Sequence, residues 1–209
     1  MSIVEFIYLI LSCILQIALF NLVPFIWWKL TRVDENFLKW LGFKKPELKG
    51  SIWMIIICII IWVSLYIIDF TVLADMTALS ESENITSNAF KGMGIYSIIP
   101  AFMQNFFQNG VSEELLFRGF LSKRFISKFG FKTGNSIQAF IFSIMHVIPM
   151  VGIGINLGLY GSLMLFISTA GSALVLTYLN EKVFGGSILP SILVHGIGNF
   201  IFTMIIAFS

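Results

Sequence analysis

Charged residues are scarce in this sequence. Asp, Glu, Lys and Arg make up only 11% of its 209 residues, whereas a soluble domain carries about a quarter. Apolar residues make up 57%, so too little polar surface remains to cover a globule in water. The shortage of charge argues against a soluble domain and predicts a protein that folds in lipid.

Cysteine and histidine are equally rare, with two residues of each. Cys13 and Cys58 lie inside apolar runs, where they are interpreted as small packing residues rather than as a disulfide or a metal pair. His146 and His195 also lie in apolar segments. One such histidine alone is usually a structural residue, but two of them, together with acids and an asparagine in apolar segments, indicate a functional site.

Other absences limit the partners and the domain organisation. The net charge is only +2 and no basic stripe with interleaved aromatic residues occurs, so nucleic acid is not an expected partner. No repeat, low-complexity tract or Gly/Pro/Ser linker divides the chain, and the first apolar run lacks a signal-peptide cleavage site. We therefore expect one membrane domain over residues 1–209.

Long apolar runs make up most of the chain. A helix needs about 20 apolar residues to cross a bilayer, and six runs meet or approach that length, near residues 3–28, 51–74, 94–121, 136–152, 157–179 and 188–208. Lys and Arg concentrate in every second connection, which by the positive-inside rule faces the cytoplasm and leaves both termini outside. The sequence predicts an all-α, polytopic bundle of about six transmembrane helices.

The third run contains three ionisable groups. Each costs roughly 2.5–3.5 kcal/mol to insert into a bilayer, so such groups usually face a cavity or one another. Glu114 and Arg118 are four residues apart and are expected to pair on one helix face. Glu113 points about 100° away around the helix axis. It is left as the carboxylate that suits a general base.

A second candidate group lies in the last run. His195 and Asn199 have i, i+4 spacing, so an imidazole and an amide can point together at one oxygen, as in an oxyanion hole. Gly196 and Gly198 would leave the backbone open to a substrate chain, although helix packing explains these glycines equally well.

Depth presents a difficulty for a single site. Counted from the nearest cytoplasmic charge, Glu113 and His195 lie near mid-membrane, whereas His146 lies roughly 20 Å in at the ideal rise. A helix tilt, or a fourth helix that begins deeper, is needed to bring the three together.

Three short motifs combine these residues. The motifs EExxxR, FxxxH and HxxxN run from Glu113 to Arg118, from Phe142 to His146 and from His195 to Asn199. In this order they resemble the motifs of the membrane-embedded CAAX protease and bacteriocin-processing (Abi) family, which is related to the Rce-type CAAX endopeptidases. The resemblance covers about residues 94–205, the expected catalytic core.

The resemblance implies a helical membrane endopeptidase. Glu113 and His146 would activate water, while His195 and Asn199 would stabilise the oxyanion. Phe142 would line the cavity, and Glu114 with Arg118 would brace the site. The implied substrate is a peptide or protein met at the lipid bilayer, hydrophobic or lipidated, and we expect a multi-pass protein of a bacterial cell membrane.

Two questions stay open at this point. No cofactor is expected, because Asn199 beside His195 suits an oxyanion better than a metal; the alternative is Zn²⁺ held by Glu113, His146 and His195. The alternative function is a non-catalytic membrane partner, such as a bacteriocin self-immunity protein or a sensor regulator. A small transporter is a third hypothesis, although no paired repeat supports it.

Overall fold

The computed structural model describes residues 3–47, 52–74, 88–152 and 157–209. Within these ranges the chain is helical and has no strand, which confirms the predicted all-α fold. The helices are α1 (Ile3–Leu30), α2 (Phe37–Trp40), α3 (Ile52–Ala74), α4 (98–129), α5 (Phe131–Gly152), α6 (Gly158–Tyr178) and α7 (Leu189–Ala207). Short 3₁₀ turns at Asn88–Phe90 and Gly94–Ser97 precede α4, and a π-helical turn at Leu179–Val183 extends α6. Each long helix overlaps one of the predicted apolar runs.

Three of the described helical segments are long and apolar enough to cross a membrane, namely Ile3–Leu30, Gly158–Val183 and Leu189–Ala207. A shorter apolar helical stretch covers Ile52–Leu65. The count of six spans and the outward position of both termini stay predictions. The connections near 75–87 and 153–156, which the charge pattern predicts to face outside, lie outside the described residues.

Helix α4, which carries the paired acids, changes its winding around them. π-helical stretches at Met103–Val111 and Leu115–Ser122 flank a short α-helical turn at Ser112–Glu114. A π-helical turn bonds residue i to i+5, and such turns are frequent at functional sites. Helix α4 also approaches α7 closely, because a Cβ on Gly110 would lie 3.0 Å from the Cα of Gly196. This contact holds the acids next to the helix that carries the second histidine.

The depth difficulty is resolved by the hairpin that joins α4 to α5. Helix α4 continues to Phe129 and α5 begins at Phe131, on either side of Gly130, whose φ is +77°. Glu113 precedes Gly130 by 17 residues and His146 follows it by 16. Residues at equal distances from the turn of an antiparallel hairpin lie side by side. Helix α5 corresponds to the fourth predicted run and begins at Phe131, earlier than the predicted residue 136. The two arms of the hairpin have matched lengths, and this match aligns the residues.

Polar side chains join α1 to α4 beside the acids. Gln16 Nε2 donates to the Gln108 carbonyl at 2.9 Å and to Ser112 Oγ at 3.1 Å, and Gln108 Nε2 donates to Gln16 Oε1 at 3.1 Å. The Ser112 hydroxyl also donates to the Gln108 carbonyl. Amide groups in an apolar helix interface are satisfied in this way because lipid offers them no partner. The network fixes α1 against the turn that presents Glu113.

We expect Gln16→Leu to lower the stability of the folded protein by about 0.6–1.7 kcal/mol, the range for hydrogen bonds between membrane helices. The measurement is an SDS unfolding titration of the purified protein. Asn21→Leu on the same helix is the matched control, because the Asn21 amide donates within α1, to the Ile17 carbonyl at 2.8 Å, and its Oδ1 is buried with no hydrogen-bond partner among the described residues. Equal stability of Gln16→Leu and wild type would contradict the role assigned to the network.

The opposite end of α4 is held by ionic and backbone contacts. Lys123 Nζ lies 2.6 Å from Glu181 Oε1 and donates to the Gly186 carbonyl at 2.7 Å. The Ile188 amide donates to the Gly42 carbonyl at 2.9 Å, just before α7 begins. Burial lowers the pKa of the nearby Arg124 guanidinium, and the Glu181 carboxylate opposes that shift. These contacts anchor the start of α7 and so set the position of His195 along it.

Candidate active site

The centre of the site is a buried ion pair on α4. Arg118 NH1 lies 3.1 Å from Glu114 Oε1, and the two side chains are 1% and 0% exposed. The i, i+4 pairing expected from the sequence is therefore formed. The guanidinium carbon also lies 4.2 Å from the centre of the Phe142 ring on α5, a cation–π contact that is strengthened by the absence of water.

Glu114 has a second partner that the sequence did not indicate. His195 Nδ1 lies 2.9 Å from Glu114 Oε1. A carboxylate beside a guanidinium can only accept a hydrogen bond, so Nδ1 carries the proton that it donates. The carboxylate of α4 thus fixes the ring orientation of the histidine on α7. Nε2 of His195 is left as the nitrogen that faces the reaction space.

Glu113 faces both histidines. Its Oε2 lies 3.8 Å from His146 Nε2 and 3.9 Å from His195 Nε2, so three helices supply one polar group each. The Oε2 atom is buried and has no hydrogen-bond partner in the part of the chain that the structure describes. Both separations are too long for direct hydrogen bonds. They suit a bridging water instead.

His146 is oriented by its own helix. Its Nδ1 lies 2.8 Å from the Phe142 carbonyl, and a carbonyl only accepts, so this nitrogen is the donor and Nε2 faces Glu113. The Phe142 ring packs at 4.3 Å from the His146 ring and edge-on at 4.9 Å from the Phe117 ring. Phe142 is therefore a wall of the site, in contact with the imidazole, the guanidinium and helix α4.

Asn199 is linked to the site through a residue that the sequence analysis missed. Trp62 on α3 donates from Nε1 to Asn199 Oδ1 at 2.8 Å, and its ring lies 4.9 Å from the His195 ring. A tryptophan among isoleucines was the available signal, since a buried indole N–H needs an acceptor. Its spacing along α3 could not identify that acceptor on another helix.

Exposure differs sharply within the site. The side chains of Glu114, Arg118 and His195 are at most 3% exposed, whereas Glu113 is 16% and His146 is 29% exposed. The opening therefore lies on the side of Glu113 and His146. A substrate can meet these two groups first, while the ion pair stays out of its reach.

The Zn²⁺ alternative assigns the metal to Glu113, His146 and His195, which are residue types that bind zinc in catalytic sites. Tetrahedral ligands about 2.0–2.1 Å from zinc lie about 3.3–3.4 Å apart, whereas Glu113 Oε2 is 3.8 and 3.9 Å from the two imidazole nitrogens. Among the described residues, no group of three His, Cys, Asp or Glu side chains is arranged to hold a metal ion. The absence of a cofactor and the Zn²⁺ alternative both stay predictions.

Comparison with known proteins identifies the family. A family model described as type II CAAX prenyl endopeptidase Rce1-like matches residues 95–201, slightly more than half of the chain, and includes all three motifs. Searches of curated proteins and of solved structures find no match. The match confirms the resemblance drawn from the motifs. The chain belongs to the Rce1-like type II CAAX prenyl endopeptidase family and is an integral membrane peptidase that acts on a peptide or protein.

Proposed function

We propose that this chain hydrolyses a peptide bond in a hydrophobic or lipidated peptide or protein without a metal, using Glu113 and His146 to activate water and His195 with Asn199 to stabilise the oxyanion. The observation that carries the proposal is the position of Glu113 Oε2, buried and unpartnered among the described residues, opposite Nε2 of both histidines at 3.8 and 3.9 Å. We also propose that the membrane is that of a bacterial cell.

The first step is attack by a water that bridges Glu113 and His146. Glu113 takes one proton as the water oxygen bonds to the carbonyl carbon of the substrate, and the carbonyl oxygen becomes an oxyanion. His146 Nε2 accepts the second hydrogen bond of that water, because its Nδ1 proton is already donated to the Phe142 carbonyl. The carboxylate and the imidazole thus align the water before the reaction begins.

The oxyanion is stabilised by groups of α7. Asn199 Oδ1 accepts from Trp62, so the amide nitrogen is the end that can donate to a substrate oxygen. His195 can donate from Nε2 when its ring carries both protons, since Nδ1 is held by Glu114. The proton on Glu113 then passes to the leaving amine nitrogen as the C–N bond breaks, which returns the carboxylate and releases a new carboxyl end and a new amine end.

The supporting residues restrict how these groups move. Glu114 bonds His195 and pairs with Arg118, and Arg118 rests on the ring of Phe142. Glu114, Arg118 and Phe142 are almost completely buried. Their positions are therefore fixed by packing against neighbouring side chains. Preorganised donors contribute most in a site that excludes water.

The test is cleavage of defined peptides by purified protein in lipid nanodiscs, read by mass spectrometry of the new termini. The substrates are a farnesylated CAAX peptide, the same peptide without the lipid, and a hydrophobic membrane peptide. We expect wild type to cleave at least one of them, His146→Ala to lose about 10²-fold or more in kcat, and Glu35→Gln to match wild type. Glu35 is a suitable control because it pairs with Lys39 on the surface.

The same assay decides on the metal and on the alternative function. We expect a strong chelator to leave the rate unchanged, and loss of activity that zinc restores would overturn the metal-free mechanism. If folded wild type cleaves none of the substrates, the non-catalytic partner, such as a self-immunity protein or a sensor regulator, replaces the proposed peptidase mechanism.

A further inference from the structure

Helix α3 contributes one side chain to the site although it lies outside the matched range 95–201. Trp62 is 6% exposed, its Nε1 donates to Asn199 Oδ1 at 2.8 Å, and its ring lies 4.9 Å from the ring of His195. Both members of the predicted oxyanion site therefore contact the same indole.

The indole N–H determines which end of the Asn199 amide faces the reaction space. An indole nitrogen is a donor only, whereas the amide has an acceptor oxygen on one side and two donor protons on the other. Rotation of the amide by about 180° would place its NH₂ group against the indole N–H and leave two buried donors facing each other, at the cost of a hydrogen bond. Trp62 thus holds Oδ1 towards α3 and turns Nδ2 away from it.

The residue before Asn199 makes room for this contact. A Cβ on Gly198 would lie 2.6 Å from Trp62 Cδ1, closer than real Cβ atoms approach another side chain. The indole therefore lies directly over the backbone of α7 at Gly198. Of the two explanations that the sequence left open for this glycine, helix packing is the one that this contact supports.

We propose that Trp62 is a positioning residue for the peptidase reaction: it fixes the Asn199 amide so that Nδ2 donates to the oxyanion. This inference rests on the proposed role of Asn199. Helix α3 is then part of the working enzyme, and the segment 95–201 alone lacks the group that orients one of its own catalytic side chains.

The test is a double-mutant cycle on kcat, with the full chain in nanodiscs. Trp62→Phe keeps an aromatic ring and removes the N–H. We expect it to lower kcat about tenfold with KM within about twofold, and Asn199→Ala to lower kcat by about 10²-fold, the usual effect of losing one oxyanion donor. In the Asn199→Ala background, Trp62→Phe should cause no further loss, because the residue through which it acts is gone.

A second substitution separates the N–H from the packing of the ring. Incorporation of 3-benzothienylalanine at position 62 keeps the shape of the indole and lacks the N–H, so it should fold as wild type does and reproduce the loss in kcat. Trp53→Phe on the same helix is the control, because it makes the same chemical change at a side chain that is 66% exposed, against 6% for Trp62. Its kcat should equal that of wild type.

The outcomes are distinguishable. Wild-type kcat with benzothienylalanine, or an equal loss from Trp62→Phe with and without Asn199, overturns the role of Trp62 and leaves the proposed function intact. Full activity of Asn199→Ala overturns the oxyanion role of that amide and the role of Trp62 with it. A lower melting temperature with unchanged kcat would make Trp62 a packing residue only.

Discussion

Replacement of Glu113 by glutamine should abolish peptide cleavage while the protein still inserts and folds. The substitution keeps the size and polarity of the side chain but removes the carboxylate that accepts the proton of the attacking water. A general base contributes about 10²–10⁴-fold to a rate, and the neighbouring carboxylate cannot replace it, because Glu114 is occupied by Arg118 and His195. We expect kcat to fall by about 10²–10⁴-fold.

The measurement is single-turnover cleavage of the best peptide from the nanodisc assay, with the SDS unfolding midpoint recorded for each protein. Glu35→Gln is the matched control, since it makes the same chemical change in an exposed pair and should alter neither value. A Glu113→Gln variant that cleaves the peptide at the wild-type rate would contradict the assignment of Glu113 as the general base. A lost rate together with a lost fold would instead make Glu113 a structural residue.

The largest effect on stability is expected from Arg118→Met. The change leaves Glu114 as a buried carboxylate, 0% exposed, without its cation. Breaking a buried ion pair from one side costs about 3–5 kcal/mol, because the remaining charge is uncompensated. The SDS unfolding titration should show this loss, and cleavage should fall with it because Glu114 also orients His195.

The double variant Glu114→Gln with Arg118→Met tests the cause. Removing both charges should restore most of the lost stability, since a neutral pair carries no such penalty. Lys39→Met supplies the surface comparison, because Lys39 and Glu35 are 64% and 41% exposed and exposed pairs contribute only about 0–1 kcal/mol. If Arg118→Met costs no more than Lys39→Met, the buried pair does not brace the site.

Hydropathy and charge predicted the fold class. In lipid, the backbone N–H and C=O groups of each apolar run must bond to one another, so a long apolar run indicates a helix. The motifs predicted the residues that meet, since Glu113, His146 and His195 are rare ionisable groups in those runs. The pairing of Glu114 with Arg118 followed from their spacing on one helix.

The missed features depend on contacts between helices. Trp62 and Gln16 are single residues in apolar runs, and nothing in their local sequence indicates Asn199 or Gln108 as partners. The bond from His195 to Glu114 was missed because the sequence offered Arg118 as a sufficient partner. The π-helical winding of α4 was likewise not predictable from the periodicity, which expresses the ordinary α-helical repeat.

The hairpin at Gly130 couples the lengths of the two helices that it joins. Glu113 and His146 lie at nearly equal distances from that turn, so their separation depends on the difference in length between the two arms and not on the length of either. One extra helical turn in both arms would move the pair together by about 5.4 Å along the helix axes, away from the Gly130 turn, and keep their contact. One extra turn in a single arm would separate them by the same distance. The contact between Glu113 and His146 therefore tolerates a change in the length of this hairpin only when both arms change by the same amount.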